Sequence, residues 1–290
     1  MKRRLFLHAL GAASIGPLMT SATAQSPRLR IGLTAVILAD QAAFLARWSD
    51  YLSLRLGSRV EFVVRDSYQA ILDLLFAGQL DAAWICGYPY VRYQAQMRLL
   101  AVPLYQGQPN YRAYLIRTRL AAGEQSVIRE WSDLRGKVFA YSDPLSNSGW
   151  LVAQGQFAAS GISPRHLKRA FFAHGHRNVA EAVAARLAAA GSIDGYVWET
   201  MRQQGMAAAA QTEVIWKSPA HGFPPLVAPA GIGHLQTTSL QRTLLAMDQD
   251  EAGRALLKSL NLDGFIAGSP QLFDSIRQLA MGVAGSGVNS

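Results

Sequence analysis

Short apolar segments alternate with longer amphipathic segments along most of this chain, and this alternation restricts the fold more than any other feature. In the N-terminal part, LRIGL (29–33), RVEFVV (59–64) and DAAWI (81–85) have the length and composition of strands. Segment 42–56 carries apolar residues at helical spacing and ends before Gly57, a residue favoured at helix C-termini. Strands that alternate with helices in this way predict a parallel-rich sheet covered by helices on both faces.

A second run of the same kind begins near residue 118, and helical periodicity returns at the C-terminal end. The sequence predicts strands ending near residues 140 and 198, with Glu199 directly after the second. A chain of 290 residues is long enough for two domains of ordinary size. We therefore expect an α/β fold with two lobes around a cleft, because ligands in open α/β sheets bind beyond the carboxyl ends of strands.

The first 24 residues have the features of an export signal and are set apart from the fold. Lys2, Arg3 and Arg4 precede an apolar segment at 5–19, and Ala22-Thr23-Ala24 matches a signal-peptidase cleavage site. The segment that begins at Arg3-Arg4 also resembles the twin-arginine export motif. Export through either route predicts a periplasmic protein, and we expect the mature chain to be soluble. The alternative is an amphipathic first helix of the mature fold.

The charge and cysteine content restrict the partners of the chain. The sequence has 28 Lys and Arg against 19 Asp and Glu, a formal charge of +9. The positive excess is spread along the sequence, without the block of basic residues that marks a nucleic-acid site, so we expect no nucleic-acid partner. A modest positive field favours small anionic ligands. The single cysteine, Cys86, excludes an internal disulfide and leaves a thiol that is either buried or functional.

The segment YSDPLSNSGWL (141–151) predicts an anion-binding turn. It reads as the end of a strand, a turn fixed by Asp143 and Pro144, and a helix that opens at Ser146, Asn147 and Ser148. The first N–H groups of a helix lack internal partners and lie at the positive end of its dipole, so they attract anions. Serine hydroxyls add further donors. An ordinary helix cap without a ligand is the alternative interpretation.

Other polar segments also follow predicted strands and are therefore expected at the same cleft. They are Cys86 to Tyr90, the pair His174 and His176, and Glu199. The two histidines and Glu199 would form a metal site in an exported metal-dependent enzyme, but no fourth ligand supports this alternative. The motifs GxSxG, GxxxxGK[ST] and HExxH are absent from the sequence. We expect no catalytic residue, no metal site and no cofactor. Asp143 is expected to fix its turn, and Asp194 to be structural.

Seven segments in order carry a resemblance to a known family. They are IGLT (31–34), Ser67-Tyr68, GQLDAAW (78–84), the 141–149 turn, HGHRNVAEAVA (174–184), IDGYVWE (193–199) and LDGF (262–265). Together they resemble the phosphonate-type periplasmic substrate-binding proteins of ABC transporters, whose members bind phosphonates, phosphite and related oxyanions. The resemblance implies a two-lobed receptor that closes about a hinge and delivers its ligand to an ABC permease.

The resemblance also assigns lobes and roles. It implies a lobe one of residues 25–117 plus 215–290 and a lobe two of residues 118–214, and we expect a monomer. The 146–148 turn matches the family's Ser/Thr turn that grips anionic oxygens, His176 matches its histidine, and Tyr68 matches its cleft tyrosine. Glu199 matches an acidic position that meets a ligand ammonium or a protonated oxygen.

Two departures from the family pattern open an alternative. Asn147 replaces the usual Thr, and Cys86-Gly87-Tyr88-Pro89-Tyr90 replaces the usual glycine-proline loop, which places a thiol at the cleft. The alternative is therefore an oxyanion- or arsenite-sensing binding protein that partners a sensor kinase, with Cys86 as a ligand. At least one of Tyr88 and Tyr90 is expected to donate to the ligand. The complete predicted ligand-binding set is Tyr68, Cys86, Tyr88, Tyr90, Ser146, Asn147, Ser148, His176 and Glu199.

Overall fold

The computed structural model describes residues 28–34, 42–121, 128–231 and 234–285. The signal peptide predicted at residues 1–24 lies outside these residues. None of the helices in the described ranges combines the length and the apolar character that a membrane crossing requires.

The described residues form strands and helices in the following order. The strands are β1 (Arg28–Leu33), β2 (Arg59–Val64), β3 (Ala82–Trp84), β4 (Met97–Leu104), β5 (Asn110–Tyr111), β6 (Ala113–Thr118), β7 (Val138–Tyr141), β8 (Arg169–Phe172), β9 (Ala190–Asp194), β10 (Thr212–Lys217), β11 (His221–Gly222), β12 (Leu226–Pro229) and β13 (Gly264–Ile266). The α-helices are α1 (Ala42–Leu56), α2 (Tyr68–Phe76), α3 (Gly87–Arg92), α4 (Val152–Ala159), α5 (His176–Ala184), α6 (Gly195–Gln203), α7 (Ala207–Ala210), α8 (His234–Leu245), α9 (Glu251–Ser259) and α10 (Asp274–Gly285).

The strands form two larger sheets, one in each lobe. The first has six strands in the order β13-β4-β12-β3-β1-β2, and the second has five in the order β10-β6-β9-β7-β8. In the first, β1 pairs in parallel with β2 and β3, whereas β12 and β13 are antiparallel to their neighbours. In the second, β7 is parallel to β8 and β9, while β6 and β10 run antiparallel. Both sheets are therefore mixed rather than mainly parallel. The strands with which the chain returns to the six-stranded sheet, β12 and β13, and the strand with which it enters the five-stranded sheet, β6, run against the parallel strands.

The sheets also shift the predicted lobe boundaries. A boundary after residue 117 would cut β6, and one after residue 214 would cut β10, yet both strands lie wholly in the five-stranded sheet. The chain crosses between the sheets before β6 and after β10, where β5 and β11 pair with each other. Because β6 and β10 pair within the five-stranded sheet along their length, the crossings fall near Arg112 and Ser218.

One prediction about local structure is wrong and affects the site. The segment 193–198 was expected to be a strand ending at Glu199, but β9 ends at Asp194 and α6 begins at Gly195. The carboxylate of Asp194 caps the helix, since its Oδ1 accepts hydrogen bonds from the backbone N–H groups of Tyr196 and Val197. Glu199 therefore lies more than a turn into α6 instead of at the end of a strand.

Each sheet is held by a core of buried aromatic and aliphatic side chains. In lobe one, the Trp48 ring contacts those of Phe62 and Trp84 at centroid distances of 4.7 and 5.8 Å. In lobe two, Phe139 and Phe157 pack edge to face at 5.3 Å. Helix α10 packs against both α3 and α4, so the C-terminal helix joins the two lobes. The strand ends that face the other lobe are thus held on rigid supports.

Candidate functional site

The predicted anion-binding turn forms at the carboxyl end of β7. The Oδ1 atom of Asp143 accepts a hydrogen bond from the Leu145 N–H at 2.8 Å, which confirms that Asp143 fixes the turn. The helix that follows begins with one π-helical turn over residues 147–151 and continues as α4. The Oγ atom of Ser146 caps this start by accepting from the Gly149 N–H at 2.9 Å. The serine-rich segment therefore opens a helix, as its sequence predicts.

Gly149 allows the turn to fold closely back on the end of β7. A Cβ atom at this position would lie 1.8 Å from Ser142 Oγ, so a larger residue would displace the strand end or the turn. The Ser142 N–H donates to the Gly149 carbonyl at 3.3 Å. A glycine is required here by contact rather than by backbone conformation.

The three seat residues, Ser146, Asn147 and Ser148, are completely buried, and two of them carry polar atoms without partners. Ser148 Oγ lies near the Tyr111 hydroxyl but makes no hydrogen bond of acceptable geometry with a described residue. The Asn147 amide donates through Nδ2 to the Tyr111 hydroxyl at 3.0 Å, whereas its Oδ1 has no partner among the described residues. Buried polar groups are almost always satisfied in folded proteins, so unpartnered ones mark this turn as a candidate binding site.

Cys86 reaches the seat from the other lobe. It precedes α3, and its Sγ accepts a hydrogen bond from the Asn147 N–H at 3.2 Å. The side chain is 1% exposed, and burial raises the pKa of the thiol to about 11. The sulfur is therefore a neutral thiol that contacts the backbone N–H of Asn147 across the cleft.

His176 connects lobe two to Tyr68 in a single tautomer. Its Nδ1 accepts the backbone N–H of Asp194 at 3.1 Å, and its Nε2 lies 3.3 Å from the Tyr68 hydroxyl. Because a backbone N–H can only donate, Nδ1 carries no hydrogen, and Nε2 must donate to the Tyr68 oxygen. Burial lowers the pKa of His176 to about 3, which keeps the ring neutral. The hydrogen of the Tyr68 hydroxyl is then available to another acceptor.

Tyr68 is also anchored through its backbone. It is the first residue of α2 in lobe one, and its N–H donates to Asp143 Oδ2 in lobe two at 3.1 Å. Asp143 thus shapes the seat with one carboxylate oxygen and contacts the opposite lobe with the other. Burial raises the pKa of this carboxyl, and the hydrogen bonds from Leu145 and Tyr68 oppose that shift.

Asp194, which was expected to be structural, is a further candidate for the site. It caps α6 with Oδ1, as a structural residue would, but its buried Oδ2 has no partner among the described residues. Burial raises the pKa of the carboxyl to about 8. Its position at the carboxyl end of β9, followed by Gly195 and a helical segment, is the signal that would have identified it.

The remaining predicted residues divide into one at the rim and two outside the cluster. Tyr88 is 9% exposed and stacks on Trp150 of the other lobe, with ring centroids 6.0 Å apart. Tyr90 packs instead against Phe273 at 4.7 Å, in the core beside α10. Glu199 accepts a hydrogen bond from the Tyr114 hydroxyl at 3.2 Å. The structure therefore brings together Tyr68, Cys86, Ser146, Asn147, Ser148 and His176, adds Tyr111 and Asp194, and places Tyr90 and Glu199 elsewhere.

The cluster is a set of hydrogen-bonding dipoles rather than of positive charges. Among the described residues, no lysine or arginine donates a hydrogen bond to its members. The described residues also contain no group of three or more His, Cys, Asp and Glu that could hold a metal ion. His176 and Glu199, two members of the metal site considered above, have separate partners. The arrangement is suited to binding a small polar ligand through oriented neutral donors.

The sequence matches one protein family over most of its length. Residues 33–273 match the family described as the periplasmic substrate-binding protein of the phosphonate ABC transporter. A curated relative, the phosphate-import protein PhnD of Mycolicibacterium smegmatis, is 27% identical over 264 residues, which cover 86% of this chain and 79% of the relative.

Solved structures of binding proteins share the fold. A binding-protein component of an ABC phosphonate transporter from Pseudomonas aeruginosa aligns with a TM-score of 0.80 and 22% identity, covering 89% of this chain and 87% of that one. PhnD1 from Prochlorococcus marinus, solved with methylphosphonate, aligns with a TM-score of 0.78 and 19% identity, covering 89% and 98%. These similarities confirm the two-lobed fold expected from the sequence. The family match does not favour the alternative of an arsenite sensor.

Proposed function

Because the chain belongs to the family of periplasmic substrate-binding proteins of phosphonate ABC transporters, we propose that it captures a small phosphorus oxyanion between its lobes and delivers it to an ABC permease. The observation that carries the proposal is the buried seat at residues 146–148, which has unpartnered polar atoms on Asn147 and Ser148 and contacts Cys86 of the opposite lobe. Relatives named for phosphate import and for methylphosphonate binding support the same class of ligand.

Neutral donors would hold the anion in this seat. The hydroxyls of Ser148 and Tyr68 have hydrogens to donate, and the helix start at Ser146 adds the positive end of a dipole. Hydrogen bonds to a charged acceptor are stronger than those between neutral groups, and they strengthen further where water is excluded. A dehydrated oxyanion can therefore be bound without a matching cation.

One unpartnered acceptor restricts the protonation state of the ligand. Asn147 Oδ1 can only accept, whereas Asp194, with its pKa raised by burial to about 8, keeps its proton at neutral pH and can donate it. A ligand that fills the seat must then supply hydrogen as well as negative charge. Monoprotonated phosphorus oxyanions and amino-substituted phosphonates meet this requirement, whereas sulfate has no hydrogen to donate at neutral pH.

Closure of the lobes would complete the site. Three hydrogen bonds already join the lobes around the seat: Tyr68 N–H to Asp143, His176 to the Tyr68 hydroxyl, and Asn147 N–H to Cys86. Closure around a ligand would present one joined surface to the permease. We propose that the protein acts in the periplasm as a monomer, after cleavage of the predicted signal peptide near Ala24.

The test is a binding measurement on the double variant Ser146→Ala plus Ser148→Ala. Wild-type protein is titrated by calorimetry with phosphate, phosphite, methylphosphonate and sulfate, and at least one phosphorus oxyanion should bind more tightly than sulfate. Each hydrogen bond to a charged group contributes about 1.5–3 kcal/mol, so the double variant should lose roughly 100-fold or more in affinity.

A matched control separates loss of the site from loss of stability. Ser160→Ala plus Ser259→Ala removes two hydroxyls at the ends of α4 and α9, outside the seat. This control should keep wild-type affinity. Unchanged affinity in the seat variant, or the absence of binding to every phosphorus oxyanion by wild-type protein, would contradict the proposed function.

A further inference from the structure

Basic residues that are scattered along the sequence lie together at one end of lobe two in the folded protein. At the end of the five-stranded sheet opposite the seat, β7, β8 and β9 begin and β6 ends. Among the described residues, nine Lys and Arg lie on the segments that enter or leave this end, against three acids, Glu130, Asp133 and Glu213. We call this surface the basic edge, and its cations are Arg117, Arg119, Arg129, Arg135, Lys137, Arg165, Lys168, Arg169 and Arg186.

The rest of the molecule is nearly balanced by comparison. Outside the basic edge, the described residues include 16 Lys and Arg and 14 Asp and Glu. Most of the net positive charge of the described chain therefore lies on one end of lobe two. Charge of one sign on one surface attracts partners of the opposite sign and orients them before contact.

The fold uses only some of these cations for its own stability. Arg117 pairs with Glu213 at 2.9 Å and donates to the Ile128 carbonyl at 3.0 Å, and Arg119 donates to the Ala210 carbonyl. By contrast, neither Lys137 nor Lys168 forms an ion pair with a described residue.

The two lysines share a surface hollow with an exposed apolar side chain. Together with Leu187, they line a shallow hollow of about 400 Å³ at the starts of β7 and β9. The Leu187 side chain is 64% exposed, although leucine is normally buried. A surface that combines cations on flexible stems with a protruding leucine has the composition of proteins that lie on a membrane.

We propose that the basic edge is a docking surface for the anionic phospholipid headgroups of a bilayer. Five strand ends at about 4.8 Å spacing extend over roughly 20 Å, which suits a planar array of phosphates. Arginine and lysine side chains bind phosphate through charge and hydrogen bonds, and Leu187 would insert among the headgroups. The attraction acts within about 8 Å at physiological ionic strength, so it holds only protein that is already at the membrane.

Such docking would assist delivery without taking part in ligand binding. The permease is a membrane protein, so a receptor retained at the bilayer meets it at a higher effective concentration. The seat lies at the opposite end of the same sheet and contains none of the cations of the basic edge. The proposal therefore stands or falls separately from the identity of the oxyanion.

The test is co-sedimentation of the purified protein with lipid vesicles at low and physiological salt. Vesicles of phosphatidylcholine with about one third phosphatidylglycerol should bind the protein, and vesicles of phosphatidylcholine alone should not. Each basic residue near an anionic surface strengthens binding roughly fivefold, so Lys137→Glu plus Lys168→Glu should weaken vesicle binding by at least about tenfold. Oxyanion affinity, measured on the same samples, should stay at the wild-type value.

The matched control makes the same change of charge on lobe one. Arg47→Glu plus Lys258→Glu reverses two exposed cations on α1 and α9 and should leave vesicle binding intact. Equal loss in this control, equal binding to both kinds of vesicle, or no binding to anionic vesicles would overturn the proposal. Displacement by millimolar inorganic phosphate at constant ionic strength would also overturn it, since that result indicates a pocket for free phosphate.

Discussion

The two ends of the five-stranded sheet offer an anion different binding groups, buried neutral donors at one end and cations at the other. At one end, the seat of Ser146, Asn147 and Ser148 is fully buried, and its hydrogen bonds involve no lysine or arginine among the described residues. At the other end, the half-buried Lys137 and the exposed Lys168 line one hollow with the exposed Leu187. Buried dipoles have fixed directions and can distinguish one anion from another, whereas exposed cations attract any anion.

The difference follows from the desolvation cost of burial, which is larger for a cation than for a neutral hydroxyl or amide. A cation in the seat would need a partner to offset its desolvation, and a bound oxyanion would be that partner only part of the time. Neutral hydroxyls and amides have a smaller desolvation cost, so the seat can exist with and without a ligand. At the basic edge, water solvates the charges, so the fold needs no acidic partner for each of them.

The largest expected effect is on the free energy of unfolding when an aspartate is introduced at each end of the five-stranded sheet. Asn147→Asp removes the donor to Tyr111 and introduces a buried negative charge, so it should lower the free energy of unfolding by about 2–4 kcal/mol at pH 8. It should also abolish oxyanion binding through repulsion. Lys168→Asp, an exposed change at the basic edge, should stay within about 0.5 kcal/mol of wild type.

Chemical denaturation of both variants at pH 5 and pH 8 provides the measurement. The penalty of Asn147→Asp should shrink at the lower pH, because a buried carboxyl takes up a proton more readily than an exposed one. Equal and small penalties for the two variants at pH 8 would break the contrast between the ends of the sheet.

The second effect is a pH dependence of stability that only the buried end should show. Burial raises the pKa of Asp194 to about 8 from 3.8, so between these values the folded protein holds a proton that the unfolded chain has lost. Stability from this group is present at low pH and falls as pH rises toward 8, by up to about 1.4 kcal/mol per pH unit. His176, with its pKa lowered from 6.5 to about 3, acts in the opposite direction and loses stability as pH falls below 6.5.

The two slopes oppose each other between about pH 4 and 6.5, so the Asp194 slope is unopposed by His176 only from about 6.5 to 8. In this window, wild-type protein should lose stability relative to Asp194→Asn as the pH is raised. Denaturant titrations of both proteins at closely spaced pH values measure the difference. Parallel curves for wild type and variant would show that Asp194 keeps its ordinary pKa in the folded protein.

The smallest expected effect is that of salt on the seat. Raising sodium chloride from about 50 mM to about 500 mM should change oxyanion affinity less than about threefold, because buried groups are poorly screened. The same change should remove most binding to anionic vesicles. A steep salt dependence of oxyanion affinity would instead mean that cations contribute to the seat, and calorimetry at several salt concentrations distinguishes the two results.

The sequence was sufficient to predict the residues that follow strands. Ser146 to Ser148 and His176 share one cluster because the neighbouring strands β7 and β8 end at one edge of a sheet, and Cys86 joins them from the end of β3 in the other lobe. The error at Glu199 has a local cause: IDGYVWE is rich in residues that favour strands, and only the Asp-Gly pair marks a helix start. The capping carboxylate of Asp194 decides the matter, and its effect depends on where β9 ends.

Other features depend on information that no local pattern contains. Tyr88 and Tyr90 are two residues apart on α3, so their side chains point in different directions, and only Tyr88 faces the other lobe. Tyr111 lies on the short strand β5 between the two large sheets, where nothing in its neighbours indicates a contact with Asn147. The basic edge also requires the topology, because its cations are spread over about 70 residues of sequence.

The hydrogen-bond chain from Asp194 through His176 to Tyr68 affects the step of binding at which the protein discriminates between ligands. In separated lobes the Tyr68 hydroxyl rotates freely, so it can act as donor or as acceptor toward an arriving ligand. Once the lobes close, the Asp194 N–H of lobe two fixes the tautomer of His176, and His176 then donates to the Tyr68 oxygen of lobe one. The Tyr68 hydroxyl is thereby left to act as a donor toward the ligand. The protein therefore discriminates between ligands when the lobes close and not at first contact. Differences between ligands should appear in their dissociation rates rather than in their association rates.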